Sequence, residues 1–416
     1  MAGSLAALAL EWRMSWSVAG VNVPSLALVV AGSIAALYGL YLLVLSIAAL
    51  LHSEPDQRLT PTSRLAVLVP AHNEAPVIAR CVQALRAQSY PRHLYEVVVV
   101  ADNCSDQTAR IAAEAGAQRV MTRRCPAGGG KGGALRWALD QLLVGDGAPS
   151  AVVIIDADSI PAPEFLTALV QPFESGRARV VQGISLLTPG DSGAPSLGVI
   201  AFMLFNRVRP MGRAVLRLRP TNLMGNGMLL ARSVLLEHPW RAFTSSEDLE
   251  YSITLHLAGE RIELAPGAVL PSAAAPTAEA ARRQRLRWHG GRAHLSRVWV
   301  PRLVGRAVCE RRPSLLGVAL GLSFPPLGLL SAITLAGALL DVALVLLGAG
   351  AGWSLLPWLT ALTAIALSVL VGLRAAHAPP AGYRALLRAP LYVARAAVGA
   401  CGVLSFRGDR WLRAER

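Results

Sequence analysis

Five apolar, mainly β-branched residues that run into two acids, Ala151-Val152-Val153-Ile154-Ile155-Asp156-Ala157-Asp158, restrict this chain more than any other stretch. An unbroken apolar run of this kind reads as a strand buried on both faces, as in parallel sheets covered by helices. In open α/β sheets, ligands sit beyond the carboxyl ends of the strands. The run therefore delivers Asp156 and Asp158 to the edge where a site belongs, and Pro161 and Pro163 turn the chain just past them. Paired carboxylates suit hard cations such as Mg²⁺ or Mn²⁺. The plainer reading is a strand that ends in solvated acids, and the short D-x-D pattern alone does not choose between the two.

The surrounding pattern agrees with an α/β fold. Residues 64–70 read as a strand cut by Pro70, 74–88 as a helix, 95–100 as a second strand, 107–115 as a second helix and 131–143 as a third. Alternation at this spacing implies a doubly wound, mostly parallel sheet with right-handed crossovers. Beyond Asp158 the pattern loosens to a short strand at 180–183, a partly amphipathic helix at 194–217 and a helix opened by Glu247-Asp248-Leu249-Glu250.

The composition, 53% hydrophobic and 16% charged, is too apolar for an ordinary soluble domain. Residues 26–51 carry no charge and are long enough to span a bilayer. Residues 355–373 form a second such run. Residues 315–347 are interrupted by Phe324-Pro325-Pro326, so they are either one kinked span or a short interfacial piece followed by a span; Asp341 within them has no evident role. Residues 381–406 carry Arg384, Arg388, Pro390 and Arg395 and read as a re-entrant or interfacial helix, or a third C-terminal span. Residues 1–24 read as a short interfacial segment. Residues 277–299 are basic and amphipathic, with Trp288 and Trp299 among the arginines, which suits a helix lying in a membrane interface.

The net charge of +14 admits nucleic acid, anionic lipid or a phosphorylated substrate as partners. The arginines cluster at membrane flanks and on the interfacial helix, where anionic lipid accounts for them without nucleic acid. By the positive-inside rule residues 52–310 and the C-terminus face the cytoplasm and the N-terminus lies outside, giving a multi-pass membrane protein. The five cysteines are scattered without metal or disulfide spacing. The expected organisation is an N-terminal segment and span (1–52), a cytosolic domain (53–272), amphipathic interfacial helices (273–312) and C-terminal transmembrane or interfacial helices (313–416).

Six motifs then occur in one order: Val69-Pro70-Ala71-His72-Asn73-Glu74, Ala101-Asp102-Asn103-Cys104-Ser105-Asp106, Lys131-Gly132-Gly133, Asp156-Ala157-Asp158, Ser246-Glu247-Asp248 and Gln284-Arg285-Leu286-Arg287-Trp288. Together they resemble the membrane-bound family 2 glycosyltransferases of GT-A (Rossmann-like) fold that include cellulose, hyaluronan and chitin-oligomer synthases; the wording of the first half is most similar to bacterial exopolysaccharide-forming members. The resemblance implies a nucleotide-sugar donor, a saccharide or lipid-linked acceptor, and Mg²⁺ or Mn²⁺ on Asp158 with Asp156 beside it. It implies that Pro70, Glu74 and Asp102 wall the nucleotide pocket and that Lys131 adds a cation near the diphosphate. Asp248 becomes the general base for inverting transfer. Gln284 and Arg287 hold the diphosphate, and Trp288 stacks on the acceptor sugar. Ser246 stands where the family usually has Thr, which keeps the hydroxyl. The Q-x-x-R-W signature points to repeated addition and a polysaccharide, while the few spans leave single-sugar transfer to a lipid, or an oligomer or export partner, as alternatives; a non-catalytic nucleotide- or lipid-binding subunit is the reading from another class.

Each residue also has a plainer role. Asp102 can be a helix N-cap, Glu247 and Asp248 can be acids favoured at a helix N-terminus, and Arg287 and Trp288 can be interface anchors. The glycines around Lys131 do not make a P-loop, because Gly rather than Ser or Thr follows the lysine. His72, His289 and His294 lack metal spacing and read as structural.

Overall fold

The computed structural model describes residues 17–18, 21–52, 59–125, 130–188, 196–218, 222–275 and 277–404. The interfacial segment expected before residue 17, Gly128 and Gly129, and the arginines after residue 404 lie outside those residues.

The apolar run at 151 is the middle of a seven-stranded sheet. In chain order the strands are β1 (Leu65–Ala71), β2 (Tyr95–Asp102), β3 (Arg119–Arg123), β4 (Ala151–Ile154), β5 (Val180–Thr188), β6 (Met228–Ala231) and β7 (Ile262–Ala273). Their spatial order is β3-β2-β1-β4-β6-β5-β7. The first four are mutually parallel, β6 runs antiparallel to both neighbours, and β5 and β7 are parallel to each other. Side chains alternate between faces along each strand. Val67, Val69, Val97, Val99 and Val153 enter one core beneath the helices Ile78–Arg86 and Phe165–Glu174. Ala66, Leu68, Val98, Val100, Val152 and Ile154 enter a second core beneath Gly130–Leu142 and Glu247–Ala258. Burial on both faces is what the β-branched run demanded.

The strand at 64–70 is not cut by its proline: β1 continues through Pro70, which pairs with Val100. The carbonyl of Leu68 accepts from Ile155 N–H, so even-numbered backbone groups of β1 face β4. Pairing with β4 ends at Leu68, and the amide that Pro70 lacks points past the end of its neighbour, where nothing is lost. The spacing did not predict β3, β6 or β7. β3 is a half-exposed edge rich in arginine, β6 has four residues, and β7 carries Pro266, Gly267 and Pro271, tolerable because it is the opposite edge.

Among the described residues three helices are long and apolar enough to cross a membrane, Ser25–Leu50, Leu327–Leu346 and Gly352–Ala375. The break at Phe324-Pro325-Pro326 resolves the ambiguity of 315–347 into a short helix, Ser314–Ser323, and a separate long one, Leu327–Leu346. Asp341 is fully buried and accepts from Ser354 Oγ at 2.8 Å, tying the end of one long helix to the start of the next. The C-terminal apolar stretch is described as the helices Pro380–Ala385 and Ala389–Leu404, joined by a tighter turn at Leu386–Arg388. The first long helix is joined to the sheet domain through Gly212 of the helix Arg209–Val215: a Cβ there would lie 2.1 Å from the Leu45 carbonyl oxygen, so the two backbones touch.

Candidate active site

Every site residue inferred from the sequence lines a single cavity of about 1060 Å³ at the carboxyl edge of the parallel strands. The loops after β1 and β2 form one wall. Pro70 is the last residue but one of β1, and Asn73 in the left-handed region turns the chain toward Glu74. Asn73 Oδ1 accepts from Ser105 N–H at 2.8 Å, and Glu74 N–H donates to Thr108 Oγ1 at 2.8 Å, so the two loops hold each other. Asp102 is not a helix cap; Asp106 accepts from Thr108 N–H instead. The Asp102 carboxylate takes Arg123 Nη1 at 2.7 Å, with both side chains about one-tenth exposed. Arg123 was missed because it sits at the end of the unrecognised edge strand β3.

β4 and the Gly130–Leu142 helix form the floor. Lys131 Nζ donates to Asp156 Oδ1 and to the Gly225 carbonyl, each at 2.6 Å, and lies 3.7 Å from Glu247 Oε1. Burial opposes the Lys131 charge, but Asp156, Glu247 and Asp248 around it hold its pKa above the usual lysine range. It is therefore a permanent cation stitching the D-x-D to the Ser-Glu-Asp motif. A buried amide network, not evident from the sequence, fixes the turn after β4. Asn226 Oδ1 accepts from Asp156 N–H at 3.0 Å, and Asn226 Nδ2 donates to Ser159 Oγ at 2.8 Å. Gln182 Nε2 donates to the Asn226 carbonyl at 2.8 Å. The only signal was Asn226 between two glycines.

Glu247 and Asp248 occupy the first turn of their helix, so the dipole reading of these acids also holds. Burial, opposed by Lys131 and reinforced by Asp248, pushes Glu247 up to about 7. Burial also raises Asp248, against backbone N–H bonds and Lys131. A Cβ on Gly225 would stand 3.1 Å from Asp248 Oδ2, so the loop leaves no room beside that oxygen for a side chain. Because the folded Glu247 holds its proton above the ordinary 4.5, the folded state binds more protons than the unfolded one between about 4.5 and 7. Stability from this group is complete below 4.5 and lost as pH rises through 7. Thermal unfolding in detergent with chelator present is expected to show wild-type Tm declining from pH 5 to pH 8, with Glu247→Gln flattening that decline.

The helix Ala278–Cys309 closes the cavity. Gln284, Arg287, Trp288, Gly291 and Arg292 fall at i, i+3, i+4, i+7 and i+8 and so share a face. Trp288 packs on Phe202 with ring centroids 5.3 Å apart, within the cavity rather than as a free interface anchor. A Cβ on Gly291 would lie 2.3 Å from Ser246 Oγ and 2.7 Å from Ser245 Oγ, so this face rests directly on the loop before Glu247. Gly291→Ala is expected to push the helix away, costing about 1–3 kcal/mol of stability and lowering activity about tenfold or more, read as Tm and kcat together. His289 is held at about 4 by burial and by Arg292 and Arg285, and is neutral at working pH, in keeping with a structural role.

Asp156 and Asp158 present only oxygen donors on the cavity wall, which fits Mg²⁺ or Mn²⁺. Asp156 Oδ1 is engaged by Lys131 at 2.6 Å, and Asp158 Oδ1 lies 3.4 Å from Ser159 Oγ.

A mostly parallel sheet with one reversed strand, acids at the β4 edge and a cavity roofed by a basic helix define the GT-A class of fold. The family model described as "Glycosyltransferase like family 2" matches residues 61–291, and the chain belongs to that family. Beta-monoglucosyldiacylglycerol synthase of Trichormus variabilis is 31% identical over 232 residues, 55% of this chain and 48% of that protein. The protein of the same name from Synechocystis is 30% identical over 249 residues, 57% and 49% of the two chains. The chain thus spans about half the length of these relatives. The mannosyltransferase PcManGT of Pyrobaculum calidifontis, solved with GDP-Man and Mn²⁺, superposes with a TM-score of 0.53 over 91% of this chain and 96% of its own, at 20% identity. These relatives are not the cellulose or chitin-oligomer synthases that the motifs resemble.

Proposed function

We propose that this chain is a Mg²⁺- or Mn²⁺-dependent inverting glycosyltransferase that moves a single sugar from a nucleotide-sugar donor to a lipid acceptor at the cytoplasmic face of a bacterial inner membrane. The observation that carries this reading is the extent of the cavity. The walls that hold Asp156, Asp158 and Asp248 continue without a break to Tyr41, Leu42 and Leu45 of the first long helix and to Phe324 and Leu327 at the proline break. An acceptor with apolar chains can reach the acids from that side without leaving the bilayer. The relatives named for making monoglucosyldiacylglycerol point the same way.

In this reading the nucleotide lies against Pro70, Glu74 and Asp102. Asp158, with Asp156, would hold the cation, which when bound neutralises the diphosphate as it departs. Lys131, Gln284 and Arg287 supply further positive and hydrogen-bonding groups on the same wall. Asp248 accepts the proton of the acceptor hydroxyl as the oxygen attacks the anomeric carbon. Its raised pKa improves it as a base over an exposed aspartate. Trp288 offers a flat face to a sugar ring. The division at about residues 52, 272 and 312 follows the same roles: span, catalytic domain, roof and membrane anchor.

A second reading, polymer elongation, rests on the Gln284, Arg287 and Trp288 motif. Purified full-length chain, supplied with single labelled nucleotide sugars and a bilayer lipid extract, is expected to release nucleoside diphosphate and to yield one labelled glycolipid. A ladder of lengthening products would replace the lipid reading with the polymer one.

A further inference from the structure

Three arginines of the cavity have no part in the donor chemistry above. Arg209 and Arg213 belong to the helix Arg209–Val215, and Arg292 to the roof. The guanidinium carbons of Arg209 and Arg292 stand 5.4 Å and 5.0 Å from the centre of the same ring, Phe205. Arg292 Nη2 donates to the Gly321 carbonyl, and Arg213 Nη1 lies 3.9 Å from where a Cβ on Gly321 would stand. All three guanidinium groups therefore meet beside Phe205 and Gly321, and all three residues line the cavity.

This cluster is short of anions. Among the described residues none of the three makes an ion pair, and the Nε atoms of Arg213 and Arg292 are buried without a hydrogen-bond partner. Their positive charge is offset by the Gly321 carbonyl near the end of the Ser314–Ser323 helix, the Phe205 face and the more distant charge of Asp248. Burial holds Arg209 and Arg292 down at about 10, with Arg292 repelling Arg209, and Arg213 repelling Arg292 against the pull of Asp248. Like charges gathered in a half-buried wall, with donor atoms left unpaired, are costly unless an anion joins them. Guanidinium forks match the oxygens of a phosphate.

Their location identifies the kind of anion. Tyr41 lines the same cavity as Arg209. Tyr41 in turn stacks on Phe324 at 5.2 Å between centroids, and Tyr38 meets the same ring edge-on at 4.2 Å. The tyrosines inside the first apolar run and the Phe-Pro-Pro break thus build the wall between the arginines and the apolar helices. We propose that Arg209, Arg213 and Arg292 form a phosphate-binding site for the head group of the acceptor lipid, whose chains run past Tyr41 and Phe324 into the bilayer. The inference rests on the lipid-acceptor reading above and narrows it from lipids in general to phosphate-bearing ones. Asp248, whose charge reaches Arg292, then lies near the same head group.

Full-length chain in detergent is titrated calorimetrically with short-chain phosphatidylglycerol, short-chain diacylglycerol, inorganic phosphate, and a nucleoside diphosphate with Mn²⁺. Phosphatidylglycerol is expected to bind at least about tenfold tighter than diacylglycerol and tighter than inorganic phosphate. Arg213→Gln and Arg292→Gln are each expected to weaken it about tenfold or more, the effect of losing one charged hydrogen bond. Arg213→Lys is expected to keep most of the preference. Unchanged nucleoside diphosphate binding in the same variants reports an intact fold. Equal binding of the two lipids, or inorganic phosphate binding as tightly as phosphatidylglycerol, overturns the site. So do Gln variants that lose nucleoside diphosphate instead of lipid, since the arginines would then serve the donor. Glycolipid formed from neutral diacylglycerol alone, with no response to phosphatidylglycerol, removes the phosphate site and leaves the lipid-acceptor reading intact.

Discussion

Asp248→Asn is expected to lower kcat by about 10²- to 10⁴-fold, the usual contribution of a positioned general base, while the Kd for donor stays within about twofold. The substitution keeps the shape of the side chain, and the backbone N–H groups of the first helical turn that face it can still be accepted by the amide oxygen. Lys131 retains Asp156 at 2.6 Å and Glu247 at 3.7 Å, so the floor of the cavity loses no tie. What disappears is the capacity to take a proton. The kinetic signature separates this role from the helix-dipole role that the first-turn position also fits. An acid acting only through the dipole contributes about 0.3–1 kcal/mol to stability, so its amide lowers Tm slightly and leaves kcat almost untouched. Stopped-flow or steady-state release of nucleoside diphosphate, with Tm measured on the same preparation, distinguishes the two; a kcat within threefold of wild type overturns the base assignment.

The parallel half of the fold was legible because its signals are local. A β-branched run buried on both faces, followed by acids and prolines, allows few placements other than a central strand, and β4 lies between β1 and β6. Residues 262–273 were opaque for an equally local reason. Their prolines and glycine argue against a strand unless the strand is known to be an edge, and edge position is a property of the whole sheet. The break at Phe324 could be seen but not resolved into kink or separate helices, since both share one hydropathy profile.

The site divides in the same way. Acids, Lys131 and the Gln284, Arg287 and Trp288 face could be named from spacing, and they do share one cavity. Arg123 and Gln182 could not, and Asn226 showed only as the residue between Gly225 and Gly227. Each contributes through a partner far along the chain, as Gln182 does through Asn226. Arg209 and Arg213 read as ordinary basic residues of a partly amphipathic helix until Phe205, Gly321 and Arg292 are seen around them.

Chelation is expected to abolish transfer, and Asp158→Asn to lower kcat/KM by on the order of 10²–10³, the scale set by losing one group that stabilises developing charge. The two acids of the D-x-D are not equivalent. Asp156 is committed to Lys131 through Oδ1, and its amide N–H is held by Asn226. Asp156→Asn should therefore disturb the floor and lower Tm, because Lys131 loses its shortest ion pair while remaining buried. Asp158 Oδ1 lies 3.4 Å from Ser159 Oγ, and Asp158→Asn should raise the Mn²⁺ concentration needed for half-maximal rate. Metal titrations of both variants after removal of chelator read these effects directly. If Asp158→Asn shows the wild-type metal requirement and Asp156→Asn alone shifts it, the ligand roles are reversed, and Lys131 must release Asp156 whenever the cation is bound. If neither shifts it and chelator has no effect, Lys131 is the cation that meets the diphosphate, already held in place by Asp156 and the Gly225 carbonyl.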